Sequence, residues 1–211
     1  MFYQNLKFPK VKGRPFFYTN FVQTIDGKVQ VKKPGYWPIG SQIDHEVLEE
    51  LRLYADCLIH GGNLGREFGE ITSKSISKSL FKQQRRVLGK NPNLPYYVVT
   101  SKPKSIKKTP GVNVFHLPGG SLKRLVEDLK EKGYRNVLVE GGPTLLGSFL
   151  KESLIDEIFL TIAPKIYGTD KLATKNLVEG ILFPPNQIKK LKLLSVKKIK
   201  DELFLRYSVR T

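Results

Sequence analysis

The stretch Glu140-Gly141-Gly142-Pro143-Thr144-Leu145-Leu146, entered from the apolar run Val137-Leu138-Val139, has the residue types of an anion cradle. A buried strand that breaks into a glycine turn and opens a helix leaves backbone N–H groups without partners. The glycines let the chain come close to a phosphate, Pro143 suits a first helical turn, and the helix dipole favours negative charge. The alternative for this segment alone is an ordinary strand-to-helix turn, and other segments must decide. Two better-known phosphate signatures fit poorly. The turn reads Gly-Gly-Pro and comes late in the chain, unlike a G-x-G-x-x-G fingerprint, and no Gly-Lys-Ser/Thr follows it. One cysteine and three scattered histidines argue against a structural zinc site.

Periodicity supplies a scaffold for such a turn. Residues 15–22, 56–60, 96–100, 112–117, 136–139 and 157–164 read as strands. Between them lie helical patterns. Ser41 reads as an N-cap with Asp44 three residues on, ahead of the stripe Ile43, Val47, Leu48, Leu51 and Tyr54. The polar stretch 72–79 reads as a loop leading into a surface helix over 80–88, ended by Gly89, Asn91 and Pro92. Ser121 reads as the cap of the stripe Leu122, Leu125, Val126 and Leu129, which Lys132-Gly133 closes, and a last helix runs from the glycine turn through residue 154. This alternation predicts an α/β fold with a mainly parallel sheet covered on both faces. Residues 191–199, followed by Leu203, Leu205, Tyr207 and Val209 on alternate positions, predict a C-terminal antiparallel hairpin with one buried face.

The chain has 211 residues, 40% of them hydrophobic, enough for one core, so a single domain over 1–211 is expected. No apolar run approaches the roughly 20 residues that span a bilayer, and the first residues carry no signal core. Cys57, the single cysteine, lies in an apolar run and suits a reducing compartment. A cytoplasmic protein is the expectation. Lys+Arg exceed Asp+Glu by 36 to 19, a formal charge of +17, which raises the question of nucleic acid. The lysines are spread along the chain, and the densest stretches, 102–108 and 189–200, do not interleave aromatics as a base-stacking platform would. A basic surface attracting small phosphorylated ligands is the better reading.

Several segments together resemble a known family. Thr24-Ile25-Asp26-Gly27-Lys28, Tyr36-Trp37-Pro38-Ile39-Gly40-Ser41, Leu51-Arg52 with Ala55-Asp56, the Glu140 to Leu145 turn, and Ile155-Asp156-Glu157 with Ala163-Pro164-Lys165-Ile166-Tyr167-Gly168 are similar, in order and spacing, to the reductase domain of riboflavin biosynthesis. In bacteria that domain is the C-terminal part of a fused deaminase-reductase. The resemblance implies a three-layer α/β/α fold like dihydrofolate reductase, NADPH as hydride donor, and a homodimer built partly from C-terminal elements. It also implies a small phosphorylated substrate, a phosphoribosylamino-pyrimidine whose ribose is reduced to a ribityl chain. The fused deaminase would need a zinc-binding His/Cys set with a catalytic Glu, which this chain lacks, so a stand-alone reductase is expected.

That reaction needs an opened ribose, since the anomeric carbon accepts a hydride only as an aldehyde or imine. Asp26 and Glu140 are the acidic candidates for proton management or for holding sugar hydroxyls, with a simple turn residue and a loop acceptor as the alternatives. By the resemblance, Gly141, Gly142, Thr144 and Leu145 meet the coenzyme diphosphate, and Gly61 and Gly62 let it pass close to the backbone. Ser101 and Lys102, after a strand end, are candidates for the 2′-phosphate of NADPH, the alternative being a solvated basic loop. Thr24, Lys28 and Trp37 are candidates for substrate or nicotinamide contacts. His60 reads as a strand-end histidine with a satisfied side chain.

One segment departs from the family. Its members follow the second strand with Gly-x-x-Thr-Val and then Asp-Asp-Pro-x-Leu-Thr-x-Arg, which helps hold the substrate phosphate; here residues 61–70 read Gly-Gly-Asn-Leu-Gly-Arg-Glu-Phe-Gly-Glu. Arg66, Lys74, Lys78 and Arg85 are the cations that could replace that contact. Two rivals therefore stand beside the riboflavin reading: a same-fold reductase acting on a pterin, a dihydrofolate or another small carbonyl or imine, and a non-catalytic nucleic-acid-binding module.

Overall fold

Strands buried on both faces read as continuous apolar runs, and four such runs build the centre of this molecule. A computed structural model describes residues 2–3, 5–34 and 37–210. In chain order it contains β1 (Phe16–Thr24), β2 (Lys28–Val31), α1 (Gln42–Tyr54), β3 (Cys57–Gly61), α2 (Gly62–Ser77), α3 (Ser79–Val87), β4 (Tyr96–Thr100), β5 (Val112–His116), α4 (Lys123–Glu131), β6 (Asn136–Gly141), α5 (Pro143–Lys151), β7 (Ile155–Ala163), β8 (Thr174–Asn176), β9 (Lys190–Ile199) and β10 (Glu202–Arg210). The main sheet has the order β5-β4-β3-β6-β1-β7-β10-β9, and β2 pairs with β8 apart from it. Its first six strands are parallel, while β10 and β9 form an antiparallel hairpin.

Two apolar layers cover the sheet, as a parallel sheet requires. On one face Val47 and Leu51 of α1, Ile76 of α2 and Phe81 of α3 pack against Tyr18, Leu58, Tyr96, Val98 and Leu138. On the other, Leu125 and Leu129 of α4 with Leu146, Phe149 and Leu150 of α5 pack against Phe17, Ile59, Val137 and Val139. The expected three-layer α/β/α architecture is the one observed. Ser41 caps α1 as expected, its side chain accepting from the backbone N–H of Ile43 and Asp44.

Three expectations need correction. Residues 72–79 are not a loop: α2 continues through Ser77, breaks at Lys78, and α3 follows. Gly65, Gly69, Thr72, Ser73 and Ile76 form its buried face, so the helix packs with small residues rather than an apolar stripe. A Cβ on Gly65 would come 2.5 Å from Val98 Cγ1, which shows how closely α2 lies on the sheet. At α4, Ser121 Oγ accepts from Lys123 N at 3.4 Å, and the Leu122 N–H donates instead to Glu152 Oε1 at 2.9 Å. The start of α4 is thereby tied to the end of α5. In the hairpin, the buried apolar side chain of β10 is Phe204, whose ring lies 4.8 Å from that of Phe2 at a tilted angle, whereas of the expected buried face Leu203 is exposed and Leu205, Tyr207 and Val209 are only half-buried. Among the described residues, α4 and α5 place their buried side chains on the parallel strands, with only Val209 of the hairpin reaching the same cluster.

Candidate active site

The chain order of the strands creates a crevice. From β3 the chain moves outward through β4 and β5, then β6 returns between β3 and β1. The helices leaving β3 and β6 therefore go to opposite faces, which leaves a crevice beyond the C-terminal ends of the two strands. Open α/β sheets bind ligands at such a switch point. Both glycine pairs stand there. Gly61 ends β3 and Gly62 starts α2; Gly141 ends β6 and Gly142 precedes Pro143 at the start of α5. Neither helix start carries a side-chain cap, so the first N–H groups of both are left for another acceptor.

Close approach explains the glycines. A Cβ on Gly61 would sit 3.4 Å from Gly141 O and 3.3 Å from Leu145 Cβ, so the two turns touch. Gly141 has φ +98, and a Cβ there would strike Phe21 at 2.5 Å. The Gly141-Gly142 peptide bond is cis. Above Gly142 a Cβ would meet nothing within 4 Å, which leaves an open cradle. A diphosphate fits this donor set: converging backbone amides, two positive helix ends and no side chain in the way. Thr144, exposed, and Leu145, half-buried, lie in the first turn of α5 beside it.

Beneath the turns runs a buried network. Arg52 of α1 forms a two-pronged pair with Glu140, Nε to Oε1 at 2.6 Å and Nη2 to Oε2 at 2.7 Å. His60 Nε2 lies 2.7 Å from Glu140 Oε2, and His60 Nδ1 lies 2.7 Å from the Tyr96 hydroxyl. Burial alone would raise the Glu140 pKa, but the Arg52 charge and hydrogen bonds, joined by His60, hold it down at about 2. Glu140 is thus an ionised anchor turned toward α1, with both oxygens engaged. The alternative reading of this residue, as a hydrogen-bond acceptor, is the geometry found, though its donors are Arg52 and His60 rather than the loop. His60 is the satisfied strand-end histidine that was expected.

The second acidic candidate sits at the same edge of the sheet, beyond β1. Gly27, at φ +80, closes a turn in which its N–H reaches Thr24 O at 2.9 Å. Thr24 Oγ1 donates to Asp26 Oδ1 at 2.5 Å and accepts from Lys28 N at 2.9 Å. Asp26 also accepts from the backbone N–H of Tyr167 at 3.2 Å and Gly168 at 2.8 Å. The Thr24 hydroxyl above all, helped by those two amides, lowers its pKa against desolvation, so it is a carboxylate at neutral pH. Lys28 is only 6% exposed, and its Nζ donates to Asn176 Oδ1 at 2.9 Å. Of its three N–H groups, two remain.

The loop after β7 holds this corner together. Lys165 Nζ donates to Pro38 O and Ile39 O, each at 2.8 Å, and the Tyr167 hydroxyl donates to Pro38 O at 2.6 Å. Trp37 meets the Tyr167 ring edge-on at 5.9 Å and remains half open to solvent. Tyr36 of the same motif lies outside the described residues.

Of the four cations considered for the substrate phosphate, three are elsewhere. Arg85 is buried and donates to the carbonyls of Arg52, Leu53, Ala55 and Asn91, closing the C-terminal end of α1. Lys74 pairs with Glu70 in the middle of α2, and Lys78 follows the far end of that helix. Arg66 does face the glycine edge, but on the β4 side, away from Asp26. Its Nη1 donates to Ser105 Oγ at 2.9 Å, near Ser101 and Lys102. Both of those are exposed, and Lys102 N donates to Thr100 Oγ1 at 3.0 Å. Sequence reasoning missed Ser105, Asn176, Tyr96 and the Tyr167 and Gly168 amides; all are reached across long sequence separations without a local signal.

Among the described residues no group of three or more His, Cys, Asp or Glu could hold a metal ion, and no helix is long and apolar enough to cross a membrane.

The chain is 26% identical over 183 residues to the 2,5-diamino-6-ribosylamino-4(3H)-pyrimidinone 5′-phosphate reductase of Archaeoglobus fulgidus, an alignment covering 74% of this chain and 83% of that one. It is 33% identical over 173 residues to the riboflavin biosynthesis protein RibD of Aquifex aeolicus, covering 74% of this chain and 48% of RibD, so it spans about half of that longer protein. Among solved structures it superposes on a pyrimidine reductase-like protein from Corynebacterium diphtheriae with TM-score 0.70 at 19% identity, covering 93% and 92% of the two chains. A dihydrofolate reductase from Enterococcus faecalis complexed with NADP(H) superposes with TM-score 0.55 at 13% identity, covering 93% and 97%, which makes the fold dihydrofolate-reductase-like. With residues 15–205 matching its pattern, this chain belongs to the RibD C-terminal domain family.

Proposed function

We propose that this protein is an NADPH-dependent reductase of riboflavin biosynthesis that converts the ribose of a 5-amino-6-(5-phosphoribosylamino)uracil-type intermediate to the ribityl form. The observation that carries the reading is the meeting of Gly61-Gly62 and Gly141-Gly142 at the switch point, at the same sheet edge as the Asp26 corner. The bound nicotinamide coenzyme supplies the hydride. Backbone N–H groups of Gly62, Gly142, Thr144 and Leu145 hold its diphosphate, with Thr144 adding a hydroxyl, and Ser101 and Lys102 take the 2′-phosphate. Asp26, ionised, accepts hydroxyl hydrogen bonds from the opened sugar rather than donating a proton. Lys28 offers its two remaining N–H groups to the substrate and carries the proton nearest that corner. Trp37 and the Thr24 turn flank the pyrimidine. Glu140 acts by fixing β6 against β3 and so holds both turns in place.

The Archaeoglobus relative is named for the diamino pyrimidine rather than the deaminated one, so the test uses both substrates. NADPH oxidation is followed with the deaminated phosphoribosylamino-pyrimidine and with its diamino precursor, beside dihydrofolate, for the parent and Lys28→Met. Turnover of one pyrimidine, reduced at least about 100-fold in Lys28→Met, is expected. Turnover of dihydrofolate alone, or of none, refutes the substrate assignment.

The same reading includes a homodimer. Leu191, Leu193, Leu194 and Val196 of the outermost strand are 42%, 48%, 42% and 54% exposed on an edge whose backbone is unpaired. A second copy covers this edge. Sedimentation should give a dimer for the parent and a folded monomer for Leu193→Glu; a monomeric parent overturns it.

A further inference from the structure

We infer that Arg66 of α2 joins Lys102 in a two-cation clamp on the coenzyme 2′-phosphate, and that Arg66 carries most of the preference for NADPH over NADH. The inference rests on the coenzyme reading above and moves Arg66 from the substrate phosphate to the opposite end of the crevice.

Arg66 lies one turn into α2, and helical side chains point back toward the N-terminus, here toward the C-terminal edge of the sheet. Its Nη1 donates to Ser105 Oγ at 2.9 Å and its Nη2 donates to Asn63 Oδ1. Ser105 Oγ in turn donates to Lys102 O at 2.7 Å, and Lys102 N is bound to the Thr100 hydroxyl, against which Gly62 packs. The first turn of α2, the end of β4 and the short 3₁₀ turn Pro103–Ser105 are therefore one hydrogen-bonded unit. A guanidinium has five N–H donors, and these two contacts leave three.

Charge separates this cluster from the other basic groups nearby. Glu70 takes both Lys74 and Lys107, at 2.8 and 3.0 Å, and the two lysines hold its carboxyl at about 2. Those two lysines are thus engaged by a carboxylate. Among the described residues, Arg66 and Lys102 have no carboxylate within ion-pair distance. Arg66 is instead oriented by two neutral acceptors, which fix its plane and leave its charge available. A planar cation held in this way suits a two-pronged grip on a phosphate.

Position identifies which phosphate. The diphosphate cradle spans β3 and β6. Moving from it toward β1 leads to Asp26 and Lys28, where the reaction takes place; moving toward β4 leads to Arg66 and Lys102. The adenosine half lies on the β4 side, and the anion it brings there in NADPH, absent in NADH, is the 2′-phosphate.

The experiment measures binding of 2′,5′-ADP and 5′-ADP by calorimetry, with no turnover required, to the parent, Arg66→Gln, Arg66→Lys and Lys102→Gln. The parent should favour 2′,5′-ADP. Arg66→Gln should cut that preference at least about tenfold, the scale of one charge-assisted contact, while 5′-ADP affinity stays within about twofold. Arg66→Lys should recover only part of it, and Lys102→Gln should lose less than Arg66→Gln. Full preference in Arg66→Gln overturns the inference and leaves the coenzyme reading intact. Equal weakening of both nucleotides makes Arg66 merely structural and also overturns it. Failure of both nucleotides to bind the parent overturns the coenzyme reading and this inference with it.

Discussion

Removing one partner of the Arg52–Glu140 pair should be among the most damaging single changes in this chain. Both side chains are almost wholly buried and joined by two contacts of 2.6 and 2.7 Å. Glu140→Gln leaves the Arg52 guanidinium in a low-dielectric interior with a neutral amide for company, and leaves His60 facing that amide. Breaking a buried pair in this way costs about 3–5 kcal/mol, against a total stability of about 5–15 kcal/mol for a domain. A second route gives a similar size. The Glu140 pKa falls from the ordinary 4.5 to about 2 in the folded protein. At about 1.4 kcal/mol per pH unit, that difference is worth about 3 kcal/mol.

The pH dependence has a definite sign. A carboxyl whose folded pKa is depressed contributes its stability above the unfolded pKa and loses it as pH falls through the folded one. The Glu140 contribution is therefore complete near neutral pH and disappears between about 4.5 and about 2. The assay is urea unfolding of the parent, Glu140→Gln, Arg52→Met and the double variant, at neutral pH and at steps down to about pH 3. Each single variant should lose about 3 kcal/mol or more at neutral pH, and the double variant should lose much less than the sum. The gap between parent and double variant should shrink as pH drops below 4.5. Single losses under about 1 kcal/mol that simply add would refute the reasoning, because the pair would then be no stronger than a surface contact.

Three other outcomes follow from individual contacts. Gly142→Ala places its methyl in open space at an ordinary backbone conformation, so the melting temperature should hold while NADPH affinity falls at least about tenfold; calorimetry checks it, and unchanged affinity would remove the cradle. Gly65→Ala drives a methyl against Val98 and should cost about 1–3 kcal/mol, partly recovered in Gly65→Ala/Val98→Ala; a stabilised Gly65→Ala would show that α2 sits further from the sheet. Asp26→Asn turns an amide toward the Gly168 or Tyr167 N–H and should lower kcat. Because the Asp26 pKa lies below the ordinary value, any acid limb in kcat above pH 5 belongs to another group and should survive the substitution.

What could be read from the sequence was local. The glycine turn, the strands buried on both faces and the Ser41 cap each declare themselves within a few residues, and all appear where the sequence places them. α2 escaped because its buried face is Gly65, Gly69, Thr72, Ser73 and Ile76, which carry almost no apolar signal. Small residues let a helix lie close to a sheet, and closeness leaves no hydrophobic stripe to find. The short strands β2 and β8 escaped for a different reason: their pairing joins residues 28–31 to 174–176, and nothing in either segment announces the other. The hairpin was placed correctly but its face was only half-buried, with Phe204 of the other face the most buried apolar side chain, since alternation says which residues share a side and not which side receives a cover.

The part that no local pattern could show is the dependence of one glycine turn on the other. His60 and Glu140 stand 80 residues apart in sequence, yet each is the residue immediately before its glycine pair, and they are bonded at 2.7 Å. They meet only because β6 returns to lie beside β3 instead of extending the sheet at its edge. The Glu140 of the motif is then explained without a free carboxylate at the reacting carbon: an ionised side chain at this position ties the two strand ends to α1 through Arg52. Losses at His60 and Glu140 should accordingly be non-additive in coenzyme affinity, because either substitution releases the same contact between the same two turns. If each turn held its shape independently, the two substitutions would instead weaken NADPH binding additively.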